Sequence, residues 1–99
     1  MSIVRAAVVQ AASVAFDRDR SIGRVRALTR SAAEQGARLV VFPEAFVSGY
    51  PRGIDFGARV GSRSAEGREW YRRYWESGVD VPGPATEALG AAALEAGLH

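Results

Sequence analysis

Two residue types are missing altogether: the chain has no cysteine and no lysine, all 13 of its basic residues being arginine. Without cysteine there is no disulfide framework, no thiolate metal site and no thiol nucleophile among these 99 residues. Long apolar runs are missing too. Nothing approaches the roughly 20 residues needed to cross a bilayer, and Ala6 to Val9 is too short for a signal-peptide core and has no cleavage site behind it. A cytoplasmic location with no membrane partner is the default expectation. Excess charge of one sign is also lacking: the formal net charge is only +2, with acids interleaved among the arginines, so a mixed-charge solvated surface is expected rather than a nucleic-acid partner. The single histidine, His99, stands apart from the scattered acids. It offers no metal-ligand spacing and no Ser-His-Asp arrangement. The glycines of "GIDFGARVG" do not follow a strand and open a helix as a dinucleotide fingerprint does. No cofactor and no metal are expected.

What is present reads as a globular chain, 47% hydrophobic and 24% charged, and its length allows at most one domain with a modest core. The stretch "IVRAAVVQ" is apolar on both faces from Ile3 to Val9, which predicts a strand buried from two sides, the kind found in parallel sheets. Asp17 or Asp19 can cap a helix in which Ile22, Val25, Leu28 and Ala32 recur at helical spacing, with Arg20, Arg24 and Arg30 outside that arc. Gly36 closes it as a left-handed cap. A second buried strand, Arg38 to Phe42, completes a βαβ unit with a right-handed crossover.

Residues 49 to 64, rich in Gly, Ser and Arg, read as a long excursion. Ser64 then caps a helix running to about Glu76, with Trp70, Tyr71, Tyr74 and Trp75 crowded on one side. Such a stripe is expected to pack on a sheet or a partner subunit rather than stack on a ligand. After the turn "VDVPGPAT", Pro84 suits the first position of a last helix over residues 84 to 96 and Gly97 the residue after its end. Leu98 and His99 look like the opening of a third strand.

The run Leu39-Val40-Val41-Phe42 stops at Pro43 and is followed at once by Glu44. A carboxylate just past the carboxyl end of a parallel strand lies on the edge where open α/β sheets gather ligands and reactive groups. Pro43 fixes its own φ and biases Phe42 toward extended backbone, as Pro51 does for Tyr50, so the carboxylate is held stiffly, as a general base must be. Partial burial among Phe42, Phe46 and Tyr50 would make it a better proton acceptor near neutral pH. A structural carboxylate paired with an arginine such as Arg52 accounts for its position and stiffness equally well.

Gly36, Leu39-Val40, Phe42, Glu44, Val47 and Gly49-Tyr50-Pro51 stand in the order and spacing of the glutamate motif of the nitrilase branch of the carbon-nitrogen hydrolases. "FPEAFVSGYPRG" and the later "GSRSAEGREWYRRYWESGVDVPGPAT" resemble that branch in particular, and the similarity runs from about Ile3 to the last residue. The resemblance implies an α/β fold, the N-terminal part of a four-layer α-β-β-α sandwich contributing a βαβ unit and two further helices. It also implies a catalytic triad of glutamate, lysine and cysteine that acts on a small-molecule nitrile without cofactor, in a homo-oligomer when full length. In such enzymes the glutamate takes the thiol proton, the thiolate attacks the nitrile carbon, and the lysine stabilises the charged intermediates. Water then releases ammonia and a carboxylic acid. Glu44 matches the family's base, and Tyr50 lines the substrate pocket by the same analogy or packs locally under the constraint of Pro51.

Neither the lysine nor the cysteine of that triad is present. Residues 1 to 99 are therefore expected to be the truncated N-terminal portion of a carbon-nitrogen hydrolase domain, inactive alone. Cut at Leu98-His99, the sheet would leave one edge and one face uncovered. Two other readings remain: an amidase of the same superfamily, against which the Tyr50-Pro51 ending argues, and a non-enzymatic βαβ interaction module.

Overall fold

The computed structural model describes residues 2–49 and 64–99. The elements run β1 (Ala6–Val8), α1 (Arg18–Glu34), β2 (Leu39–Val41), α2 (Ala65–Glu76) and α3 (Pro84–Ala96). β1 and β2 pair in parallel, Ala6 opposite Leu39 and Val8 opposite Val41, and one further bond, Val9 N–H to the Val41 carbonyl at 2.9 Å, carries the ladder to its end. Parallel neighbours need a crossover, and α1 supplies it. The expected βαβ unit is thus present within an α/β fold, with strands shorter than the apolar runs that announce them.

Local chemistry explains the helix ends. The Asp17 carboxylate accepts from the Arg20 amide at 3.1 Å and starts α1, and the Ser64 hydroxyl accepts from the Gly67 amide at 3.0 Å and starts α2, each satisfying a donor that the first helical turn leaves unpaired. Gly36 has positive φ just beyond α1. Pro84 opens α3, and Gly97 closes it in the left-handed region at φ 70°, which lets the Leu98 amide reach the Ala93 carbonyl at 3.0 Å.

The core is built largely of alanine. Ala32 and Ala37 from the end of α1 and its exit, with Leu98 from beyond α3, are buried together, and Ala7, Ala33, Val40 and Ala96 pack against them. Because strand side chains alternate, Ala7 and Val40 face the helices while their neighbours face away. Two-sided burial of the strands is therefore not met within these residues: Val8 is 77% exposed, and Leu39 and Val41 are exposed beside it. The reason is placement, since α1 and the end of α3 cover the same face. His99 does open a third strand position. Its amide donates to the Arg38 carbonyl at 3.1 Å and its carbonyl accepts from the Val40 amide at 3.0 Å, on the edge of β2 opposite β1. No helix among the described residues is long and apolar enough to cross a membrane.

α2 joins this unit through the first residue of α1 and the loop that precedes it. The Arg18 guanidinium donates to the Gly78 carbonyl at 2.9 Å and the Glu76 carbonyl at 3.4 Å, capping the end of α2 with a cation where the helix dipole favours one. The aromatic stripe of α2 divides in two, contrary to the single packed side expected. Trp70 and Tyr74 each approach the Phe16 ring at 5.9 Å, whereas Tyr71 and Trp75 lie against each other at 6.4 Å and are exposed. Helical spacing accounts for this: positions 70 and 74 share one strip of the surface, 71 and 75 the next.

Candidate active site

Glu44 lies three residues beyond the end of β2, at the carboxyl edge of the sheet, as its sequence context predicts. It opens a tight turn. The Gly49 amide donates to the Ala45 carbonyl at 2.9 Å, and Ala45 and Gly49 both adopt positive φ, 56° and 86°. Phe46 is buried and its ring meets Phe42 at 5.4 Å, so the segment is anchored by one aromatic before the carboxylate and one after it. Glu44 itself is exposed. The partial burial expected among Phe42, Phe46 and Tyr50 is not found among the described residues, because both described rings turn toward each other and leave the carboxylate in solvent. Tyr50 and Arg52 lie outside the described residues.

The turn is held from behind by the loop between β1 and α1, residues 9 to 17. The Phe16 amide donates to the Ser48 carbonyl at 3.0 Å, and Gly49 packs so tightly on the loop that a Cβ there would lie 3.1 Å from the Ala15 Cα and 3.4 Å from the Ser13 Oγ. The loop is in turn pinned to α1. Ser21, fully buried, accepts from the Val14 amide at 3.1 Å and donates to the Val14 carbonyl at 3.0 Å, and the Arg24 guanidinium donates to the Ala12 carbonyl. Phe16, itself at φ 57°, points its backbone at the turn and its ring at α2, where Arg73 lies over the Trp70 ring at 4.8 Å.

Sequence reasoning singled out Glu44 but missed this support. The signal for Ser21 was present: it is a polar residue four positions before Val25, on the apolar arc of α1, where a hydroxyl must find partners. The backbone groups of Phe16 and Ser48 carry no side-chain signal. Among the described residues no group of three His, Cys, Asp or Glu side chains could hold a metal ion. Among the described residues the perturbed acid lies elsewhere: on α2 the Glu69 carboxyl is held below its usual range by its hydrogen bonds from Arg72, and Arg72 is raised by Glu69 and Glu76.

A fixed, solvent-accessible carboxylate at a strand end can accept a proton from a group brought opposite it. The described residues supply no nucleophilic thiol to receive that service, since the chain has no cysteine.

The family model for carbon-nitrogen hydrolases matches residues 5–99. Over 93 residues the chain is 53% identical to a nitrilase of Bradyrhizobium diazoefficiens, which covers 94% of this chain and 29% of that protein. It is 49% identical over 90 residues to a bifunctional nitrilase/nitrile hydratase of Nicotiana tabacum, covering 91% and 26% respectively. An aliphatic nitrilase of Sinorhizobium fredii is 48% identical over 99 residues, 100% of this chain and 32% of that protein. The chain thus spans 26% to 32% of the length of these relatives.

Proposed function

Because the chain belongs to the carbon-nitrogen hydrolase family, we propose that the whole protein hydrolyses a small-molecule nitrile to a carboxylic acid and ammonia, with Glu44 as general base. The observation that carries this reading is the placement of Glu44: a carboxylate past the carboxyl end of a parallel strand, in a turn closed by the Gly49–Ala45 bond and held by the β1–α1 loop, within a segment similar to proteins named nitrilases.

In this reading residues 1 to 99 form the N-terminal portion of the domain, and a lysine and a cysteine from elsewhere in the whole protein complete the triad. Glu44 takes the proton of the cysteine thiol, and the thiolate attacks the nitrile carbon to give a thioimidate. One water adds and ammonia leaves, giving a thioester; a second water releases the acid. The base is needed because a free thiol is mostly protonated near neutral pH. Tyr50, six residues after the base, lines the substrate pocket. The exposed face of Val8, Leu39 and Val41 fits burial under a second sheet in a four-layer α-β-β-α sandwich, and the whole protein works as a cytoplasmic homo-oligomer.

Glu44→Gln in the whole protein keeps the shape of the side chain and removes its basic oxygen. Turnover of a nitrile is expected to fall by about 100-fold or more. Near-normal turnover with a lowered Tm would instead identify Glu44 as a structural carboxylate and overturn the assignment.

A further inference from the structure

We propose that Ser21 is a positioning residue for Glu44, acting from α1 through the β1–α1 loop; the inference rests on the reading of Glu44 as general base. The chain of contacts is short and continuous. Among the described residues Ser21 is the side chain that is wholly enclosed, at 0% exposure, and its hydroxyl engages both backbone groups of a single residue, Val14. That is the role a neighbouring strand would play, taken over here by a side chain. Two residues on, the Phe16 amide bonds the Ser48 carbonyl at 3.0 Å, and Ala15 and Ser13 press on Gly49. Ser48 and Gly49 are the far end of the turn that Glu44 opens, closed by the bond from the Gly49 amide to the Ala45 carbonyl.

Removing the hydroxyl leaves the part-buried Val14 amide without its partner, and the loop shifts to bring it to solvent. Displacement of the loop releases Ser48 and relieves the pressure on Gly49, so the freedom appears at Glu44. Of the proposed substrate contacts, only Tyr50, which follows Gly49 directly, shares that freedom. The expected signature is therefore a fall in kcat that exceeds any change in KM, since misplacement of a reacting group by about 1 Å can cost on the order of 100-fold.

The test is made in the whole protein with a nitrile substrate, on Ser21→Ala, Arg24→Ala, Glu44→Gln and the double variant Ser21→Ala/Glu44→Gln. Val25→Ala serves as a control: one turn along α1 and buried, it opens the same helix interior without removing a hydrogen bond to the loop. Rates are normalised to folded protein by circular dichroism. Ser21→Ala is expected to lower kcat by about 10-fold with KM within about twofold, Arg24→Ala to lower it less in the same sense, and Val25→Ala to leave it unchanged while lowering Tm. In the Glu44→Gln background, Ser21→Ala should have no further effect on the residual rate, because its influence passes through that carboxylate. Unchanged kcat in Ser21→Ala overturns the proposal, as does an equal fall in Val25→Ala or a full additional fall in the double variant. If Ser21→Ala does not fold, Arg24→Ala decides, and an unchanged kcat there counts against it. Normal turnover in Glu44→Gln would remove the base itself, a failure distinct from loss of turnover in Glu44→Gln beside an unaffected Ser21→Ala.

Discussion

Gly49 and Gly97 share a left-handed backbone, φ 86° and 70°, but not their surroundings. Replacing each with alanine separates the cost of conformation from the cost of contact. An L-residue in this region costs roughly 1 to 2 kcal/mol, offset by about 0.4 to 1 kcal/mol because alanine also restricts the unfolded chain. At Gly97 nothing stands within 4 Å of the added methyl, so Gly97→Ala should destabilise by about 0 to 1.6 kcal/mol on these terms. At Gly49 the methyl meets the Ala15 Cα at 3.1 Å, and backbone cannot swing aside as a side-chain end can. Overpacking of this kind adds about 1 to 3 kcal/mol. Thermal denaturation of the two variants of the whole protein, at one scan rate, should therefore give Gly49→Ala the lower Tm by about 1.5 to 4.5 °C. Only Gly49→Ala should also lose turnover, because only its clash moves the turn that carries Glu44. Should the two variants melt within about 1 °C of each other, the turn does not rest on the β1–α1 loop as described, and the path from Ser21 fails with it.

Two further outcomes are expected. The 99-residue chain alone should release no ammonia from a nitrile above a Glu44→Ala control, having no thiol to form the covalent intermediate, and should aggregate or melt without a sharp transition because of its exposed sheet face; ammonia release, or cooperative melting of a monodisperse monomer, would contradict this. On α2, where Arg72 holds Glu69 ionised, the folded carboxyl titrates below its unfolded value. The stabilisation from that pair is then present above the ordinary glutamate range and disappears as pH falls through the folded value. An NMR titration should place the Glu69 midpoint below that of a model glutamate, and Arg72→Ala should return it upward; an unmoved midpoint would show that the pair does not persist in solution.

The parts of this fold that are legible in the sequence are those decided within a few residues. Ser64 and the Pro84 to Gly97 interval mark helix ends because capping is local chemistry between a side chain or a left-handed glycine and the adjacent turn. Asp17 and the arc of Ile22, Val25, Leu28 and Ala32 announce α1 for the same reason. The two apolar runs announce strands, but not which face is covered, because a run apolar on both sides carries no alternation to read. Burial of Glu44 was not legible: it depends on where the Phe42 and Phe46 rings turn, which is decided by tertiary packing. The placement of Glu44 at the sheet edge, by contrast, follows from strand and proline alone. The hold of the β1–α1 loop on the 44–49 turn runs through main-chain groups of Phe16 and Ser48, which every sequence possesses and none advertises.

The alanine seam between helices and sheet bears on how the gene tolerates change. Ala32 and Ala37 are buried, and Ala7, Ala33 and Ala96 are partly buried against them, so each offers a single methyl to lose. That loss costs on the order of 1 kcal/mol, while an enlarged side chain overpacks the seam at about 1 to 3 kcal/mol. A single nucleotide change in an alanine codon yields valine, threonine, serine, proline, aspartate or glutamate far more often than glycine. Random mutagenesis should therefore find this seam depleted of survivors even though no large side chain marks it as a core, and libraries aimed at altering the protein do better on the exposed positions of α1 and α2.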